Sequence, residues 1–159
     1  MSDTALIEAL RGSRLAAELS AEQVRILAGL LAFRDLRAGE VLVAQGVSDN
    51  HLYVIVSGAL AVTRGGSEPT QLFSLGPGDL VGELSFLDAT PHYAALIATT
   101  PTRVFGLERS KLESLLEGHA DIVYQVMRAI IRTVHEIQRR LSMHTVELTN
   151  YIYKQHGRY

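Results

Sequence analysis

The chain has no cysteine among its 159 residues. That alone excludes disulfide frameworks, zinc fingers, iron–sulfur clusters and thiol catalysis. No apolar run approaches the ~20 residues that a membrane-spanning helix needs, so no membrane association is expected. The first residues, Met1 to Leu10, include Asp3 and Glu8 but no basic segment, which is not the pattern of a secretory signal. Neither sign of charge dominates: 15 Lys and Arg stand against 17 Asp and Glu, a net charge of −2. Nothing in that balance draws the whole chain to a polyanion. No P-loop, G-x-S-x-G or His-x-His occurs, and no catalytic residues are expected. What is abundant is apolar side chain, 47% of residues, ample for a core. The length fits one domain with an appended helix, and the expected compartment is the cytoplasm.

Residues 4–18 carry Leu, Ile and Ala at helical spacing, interrupted by Gly12. Ser20 to Gln23 reads as a capping box, and Val24, Leu27, Leu30 and Leu31 continue an apolar face, predicting a helix over 20–31. From Phe33 the period changes. Runs at 33–36, 41–43, 52–56, 59–62, 72–75, 94–98 and 104–107 are short and rich in Val, Leu and Ile. Glycine-bearing turns separate most of them, Gly65-Gly66-Ser67 among them. Many short strands with no crossover helix between them predict an antiparallel all-β barrel or jelly roll. Ser110 to Glu113 reads as a second capping box, opening a short helix over 110–117 that Gly118 ends. The longest periodic segment follows. Val123, Met127, Ile130, Val134, Ile137 and Leu141 alternate by four and three, and the register runs on through His144, Leu148 and Tyr151. One helix over about 120–150 is predicted, with this row as a dimer seam. Arg128, Arg132, Arg139, Arg140 and Glu136 lie off the row and read as its solvated flank.

The segment Gly78 to Ala95, GDLVGELSFLDATPHYAA, has a different character. A Gly-rich turn runs into an apolar stretch holding one carboxylate, Glu83. Such a group is costly there unless paired or hydrogen-bonded. A polar connector then leads to a second apolar run. Two further motifs accompany it: Arg37 to Gly46, RAGEVLVAQG, and Asp49 to Gly58, DNHLYVIVSG. Together these three resemble the cyclic-nucleotide-binding domains of the catabolite-activator and kinase-regulatory families, over roughly residues 20–145. The resemblance implies a mainly β fold with flanking helices: an antiparallel β-roll (a double-stranded β-helix or jelly roll) followed by a long dimerisation helix. Expected divisions are N-terminal helices at 1–32, the β-roll at 33–109 and C-terminal helices at 110–159.

In that family Gly78 to Ala95 would be the phosphate-binding cassette. The resemblance implies a ligand site at Gly82, Glu83, Leu84, Ser85, His92, Tyr93 and Ala94. Glu83 would accept from the ribose 2′-hydroxyl, and the amides of Gly82 and Glu83 would face a cyclic phosphate. Where the family has arginine, nine residues after the glutamate, this chain has His92, and Tyr93 replaces a small residue. Arginine offers a planar fork of permanent charge, whereas histidine is charged only when protonated. Two readings follow: His92 takes over the phosphate, or Tyr93 and its neighbours fill the cavity. Glu83 also has a structural reading, pairing with Arg103 or with local amides. The expected ligand is cyclic AMP, cyclic GMP or another small anion. The expected partner is a second copy of the chain, and the expected role is that of a regulatory module rather than an enzyme. The alternatives are an interaction module that kept the fold without its ligand and the sensor part of a transcription regulator. The ten residues after Thr149 are too few for a DNA-reading domain, so no nucleic-acid contact is expected from this chain. The six histidines are scattered, and no metal site is expected.

Overall fold

A computed structural model describes residues 3–156. Two four-stranded antiparallel sheets lie face to face. The strands are β1 (Ala32–Leu36), β2 (Val41–Val43), β3 (His51–Ser57), β4 (Leu60–Arg64), β5 (Thr70–Leu75), β6 (Leu80–Val81), β7 (Ala95–Ala98) and β8 (Thr102–Glu108). One sheet has the order β1-β8-β3-β6 and the other β2-β7-β4-β5. The fold is the antiparallel β-roll expected, without crossover helices.

Alternation along the strands builds two apolar clusters. In β3, Tyr53 and Ile55 point between the sheets, toward Leu36, Leu60, Val62, Val81, Leu96 and Val104. Leu52 and Val54 point the other way, with Phe105 and Leu107 of β8, onto a layer of helices. Because both faces of β3 are covered, its sequence shows an unbroken apolar run instead of an in–out pattern. The turn into β4 depends on Gly58, at φ +87°: a Cβ there would fall 2.4 Å from the Thr102 hydroxyl oxygen. That hydroxyl in turn accepts from the Ala59 amide at 3.2 Å.

The helical layer contains α1 (Asp3–Arg11), a 3₁₀ turn at Arg14–Ala16, α2 (Ala21–Ala28), α4 (Arg109–Glu113) and α5 (Ala120–His156). A further short helix, α3 (Glu83–Asp88), sits within the cassette segment. The capping box of α2 forms in both directions: Gln23 N donates to Ser20 Oγ at 3.2 Å, and Ser20 N to Gln23 Oε1 at 2.9 Å. The second box does not form. The Ser110 hydroxyl turns to Glu108 Oε1 at 3.0 Å, and α4 starts at Arg109 with no side-chain cap. A nearer carboxylate won the hydroxyl.

Part of the row expected as a dimer seam already packs within its own chain. Ile130 is 1% exposed in the chain's own core, beside Ile122, Val126 and Ala129. Val123, Met127 and Val134 are partly buried against the same cluster. The outer face of the β1-β8-β3-β6 sheet, with Leu10, Leu15, Val24 and Leu27 from the N-terminal segment, covers Ile130 and part of Val123, Met127 and Val134. The side chains of Ile137, Leu141, His144, Leu148 and Tyr151 lie outside the described residues. Among its described side chains, the large apolar ones that α5 exposes are Tyr124, Ile131 and Met143. Polar ties fix its orientation: Gln23 Nε2 donates to Asp121 Oδ2 at 2.6 Å, Arg132 pairs with Glu18 at 3.0 Å, and Arg14 pairs with Glu136.

Ile130→Ala therefore acts as a core truncation. Its expected effect is a loss of about 2–5 kcal/mol in urea unfolding. A loss under about 1 kcal/mol would show that the side chain is not packed as described.

Candidate functional site

β6 ends at Val81, and the chain turns at Gly82 to start α3. Gly82 has φ +83°, and a Cβ on it would lie 3.0 Å from the His51 carbonyl oxygen and 3.7 Å from His92 Cε1. Only glycine takes this left-handed position without strain, and here it also lets the cassette lie against β3. The structure brings Gly82, Glu83, Leu84, Ser85, His92, Tyr93 and Ala94 together on one wall of a cavity of about 340 Å³. That lies within the usual range for small-molecule sites, roughly 300–1,000 Å³.

The floor is apolar, formed by Val62, Phe73, Leu75, Val81 and Leu96. The far side carries Val134 and Gln138 of α5. Neither group was assigned to the site from the sequence. The floor residues come from four separate strands, and the periodicity that marked Val134 was equally that of a seam. Tyr93 does not fill the cavity: it stands in the wall at 56% exposure.

Asp49 organises the cassette. Its Oδ1 lies 3.2 Å from His92 Nε2, and its Oδ2 accepts from the Tyr53 hydroxyl at 3.4 Å. Its amide donates to Ser85 Oγ at 2.6 Å, and Ser85 Oγ donates to the Asp49 carbonyl at 2.5 Å. Ser85 is 1% exposed, so its hydroxyl joins the cassette helix to the turn before β3. The backbone adds Gly46 N to His92 O at 2.7 Å and His92 N to Val47 O at 2.9 Å. Burial, and next the Asp49 charge, pushes the Tyr53 phenol up, which keeps it a donor to that carboxylate. The sequence signal for Asp49 was its place at the head of DNHLYVIVSG.

Glu83 opens α3. Burial pushes its carboxyl above the ordinary glutamate range, opposed in part by its own backbone amide and by nearby His92. Arg103, the alternative partner, forms a two-point pair with Asp35, Nε to Oδ1 at 2.6 Å and Nη2 to Oδ2 at 3.0 Å. Among the described residues no group of His, Asp and Glu is placed to hold a metal ion. None of their helices is long and apolar enough to cross a membrane.

A glycine-initiated helix with a partly buried glutamate, closed against a β-roll, carries the comparison with known proteins. A family model described as the cyclic nucleotide-binding domain matches residues 33–119. The chain belongs to that family. Among curated relatives it is 27% identical over 110 residues to a CRP-like cAMP-activated global transcriptional regulator of Mycobacterium tuberculosis, covering 68% of this chain and 49% of that protein. It is 28% identical over 141 residues to the cyclic AMP receptor protein of Thermus thermophilus, covering 87% and 65%. The chain thus spans half to two thirds of the length of these relatives. Among solved structures, a cyclic nucleotide-binding domain from Methylobacillus flagellatus superposes with a TM-score of 0.78 at 22% identity, over 87% of this chain and 80% of that one, a likeness of fold. Relatives in this family include transcriptional regulators and kinase regulatory subunits.

The Glu83 environment makes stability depend on pH. With the folded value above the unfolded one, the folded chain holds its proton longer. Stability is then greatest below the ordinary glutamate range and falls as pH rises to the raised value. Glu83→Gln is expected to raise the melting midpoint at neutral pH by a few degrees and to flatten this fall. A variant melting lower than the parent at neutral pH would contradict it.

Proposed function

We propose that this domain is a regulatory, non-catalytic module of the cytoplasm whose pocket binds a small anionic ligand of the cyclic-nucleotide class, cyclic AMP or cyclic GMP. The observation that carries the reading is the open cavity, walled on one side by the cassette and on the other by Val134 and Gln138 of α5. A ligand there touches the cassette and the long helix at once, so its presence can bias the position of that helix. Gly82 brings the first amides of α3 to the wall, where they lack intrahelical partners. Glu83 supplies an acceptor for a ribose hydroxyl. The apolar floor suits a base or sugar face.

The partner in this reading is a second copy of the chain, joined along α5. With Ile130 engaged in its own core, Tyr124 and Ile131, one heptad apart and exposed, join the partly buried Val123, Met127 and Val134 as side chains open to that contact among the described residues. The names of the relatives favour a place as the sensor part of a transcription regulator.

A second reading, an interaction module that kept the fold without its ligand, draws on one observation: His92 is turned to Asp49.

Calorimetric titration with cyclic AMP and cyclic GMP decides between them. Micromolar binding is expected from at least one. Gly82→Val should abolish it, because its side chain would meet the His51 carbonyl. Silence of the parent protein across both ligands would favour the ligand-free module.

A further inference from the structure

The pocket wall is poor in positive charge. Among its lining residues Glu83 is acidic and His92 is the one basic side chain. His92 Nε2 already faces Asp49. A phosphodiester is an anion throughout the ordinary pH range. Burying one beside Glu83, with the nearest imidazole held by another carboxylate, is unfavourable without a further cation. That cation has to come from outside the cassette.

Arg64, the last residue of β4, is placed to supply it. Val62 lines the pocket and pairs with Leu96, which lines it too. Side chains alternate along a strand, so Arg64, two residues on, stands on the same face. The next ladder pair, Thr63 with Ala95, carries that register toward Ala94, another lining residue. The Arg64 guanidinium carbon lies 5.3 Å from the centroid of the Tyr93 ring in the pocket wall. The hairpin that follows is tied down where Gly65 N donates to Gln45 Oε1 at 3.0 Å. Among the described residues the Arg64 guanidinium makes no ion pair and no hydrogen bond. Two other arginines of the β-roll are engaged: Arg34 faces Tyr53, and Arg103 holds Asp35. Stacking on a ring uses only the flat face of a guanidinium. The N–H groups in its plane stay free for two-point recognition of a phosphate, and the ring limits the freedom lost when they bind.

We propose that Arg64, held over Tyr93 at the pocket mouth, receives the phosphate of the ligand, in place of the arginine that the cassette lacks at His92. This rests on the pocket reading above. It also gives Tyr93 a purpose. The bulky residue at a position where the family has a small one is the platform that positions the substitute cation. The ligand is accordingly a nucleotide that keeps its phosphate charge, and the corresponding nucleoside gains nothing from Arg64.

The test compares cyclic AMP, cyclic GMP and adenosine on the full chain, titrated against the parent, Arg64→Gln and Arg64→Lys. Arg64 is exposed, and unchanged melting curves would establish that the variants fold. Arg64→Gln is expected to weaken cyclic-nucleotide binding at least about ten-fold, within the range for lost charge-pair partners. It should leave adenosine unchanged and flatten the salt dependence, while Arg64→Lys retains part of the affinity. If the parent binds a cyclic nucleotide and Arg64→Gln binds it equally well, the assignment of Arg64 is overturned and the pocket reading stands. If Arg64→Gln weakens nucleotide and adenosine alike, Arg64 shapes the pocket and does not read charge, which also overturns it. If the parent binds neither cyclic nucleotide, the pocket reading fails and this assignment with it.

Discussion

The pocket depends on one carboxylate. Asp49 stands in the turn before β3, and its side chain and backbone reach the cassette helix through Ser85, the cassette exit through His92, and the β-roll interior through Tyr53. Ser85 and His92 are distant from Asp49 in sequence, and little apolar contact is available to bind a polar turn to a polar connector. Hydrogen bonds in a partly buried site do that work, and they reinforce one another when every member is paired. The Gly46–His92 and His92–Val47 backbone bonds complete the frame. The wall that would face a ligand is thus fixed from behind, which leaves the cavity side apolar and open.

The second constraint is the double duty of α5. Ile122, Val126, Ala129 and Ile130 anchor it to the sheet, and Val134 and Gln138, one and two turns later, overhang the cavity. Buried apolar contact sets the strength of that docking. The ion pairs with Glu18 and Arg14 are partly exposed, and pairs of that kind contribute about 0–1 kcal/mol each, so they orient the helix more than they hold it. Arg14 is also 3.9 Å from Asp79, in the turn before β6. One residue therefore touches both the helix and the approach to the cassette.

The sequence revealed some of this and hid the rest for physical reasons. Glycine turns between short apolar runs made the β-roll legible, but β6, only two residues long, has no period to detect. The seven cassette residues were legible because they lie within one stretch of chain. The sheet residues of the pocket were not, since Val62 and Leu96 meet only through the pairing of β4 with β7. In the row from Val123 to Val134, Ile130 is covered by its own chain, whereas Val123, Met127 and Val134 are covered only in part. A helical period shows that a face is buried and says nothing of which surface buries it. Tyr93 lies outward along the wall instead of in the cavity, beside Arg64, a contact that no local pattern foretold.

The exchange of arginine for histidine at position 92 changes more than charge. An arginine presents several donors and can hold an internal carboxylate with one edge and an external anion with another. An imidazole has two nitrogens pointing apart, and here one already meets Asp49. A ligand that recruited His92 through that nitrogen would have to release the carboxylate, and with it one member of the frame that joins cassette to turn. The site that binds the ligand would be loosened by binding it. A pocket that keeps Asp49 paired and takes its positive charge from a different strand avoids this conflict. The frame and the anion contact are then separate, and the cassette supplies shape, amides and an acceptor while a neighbouring hairpin supplies the cation.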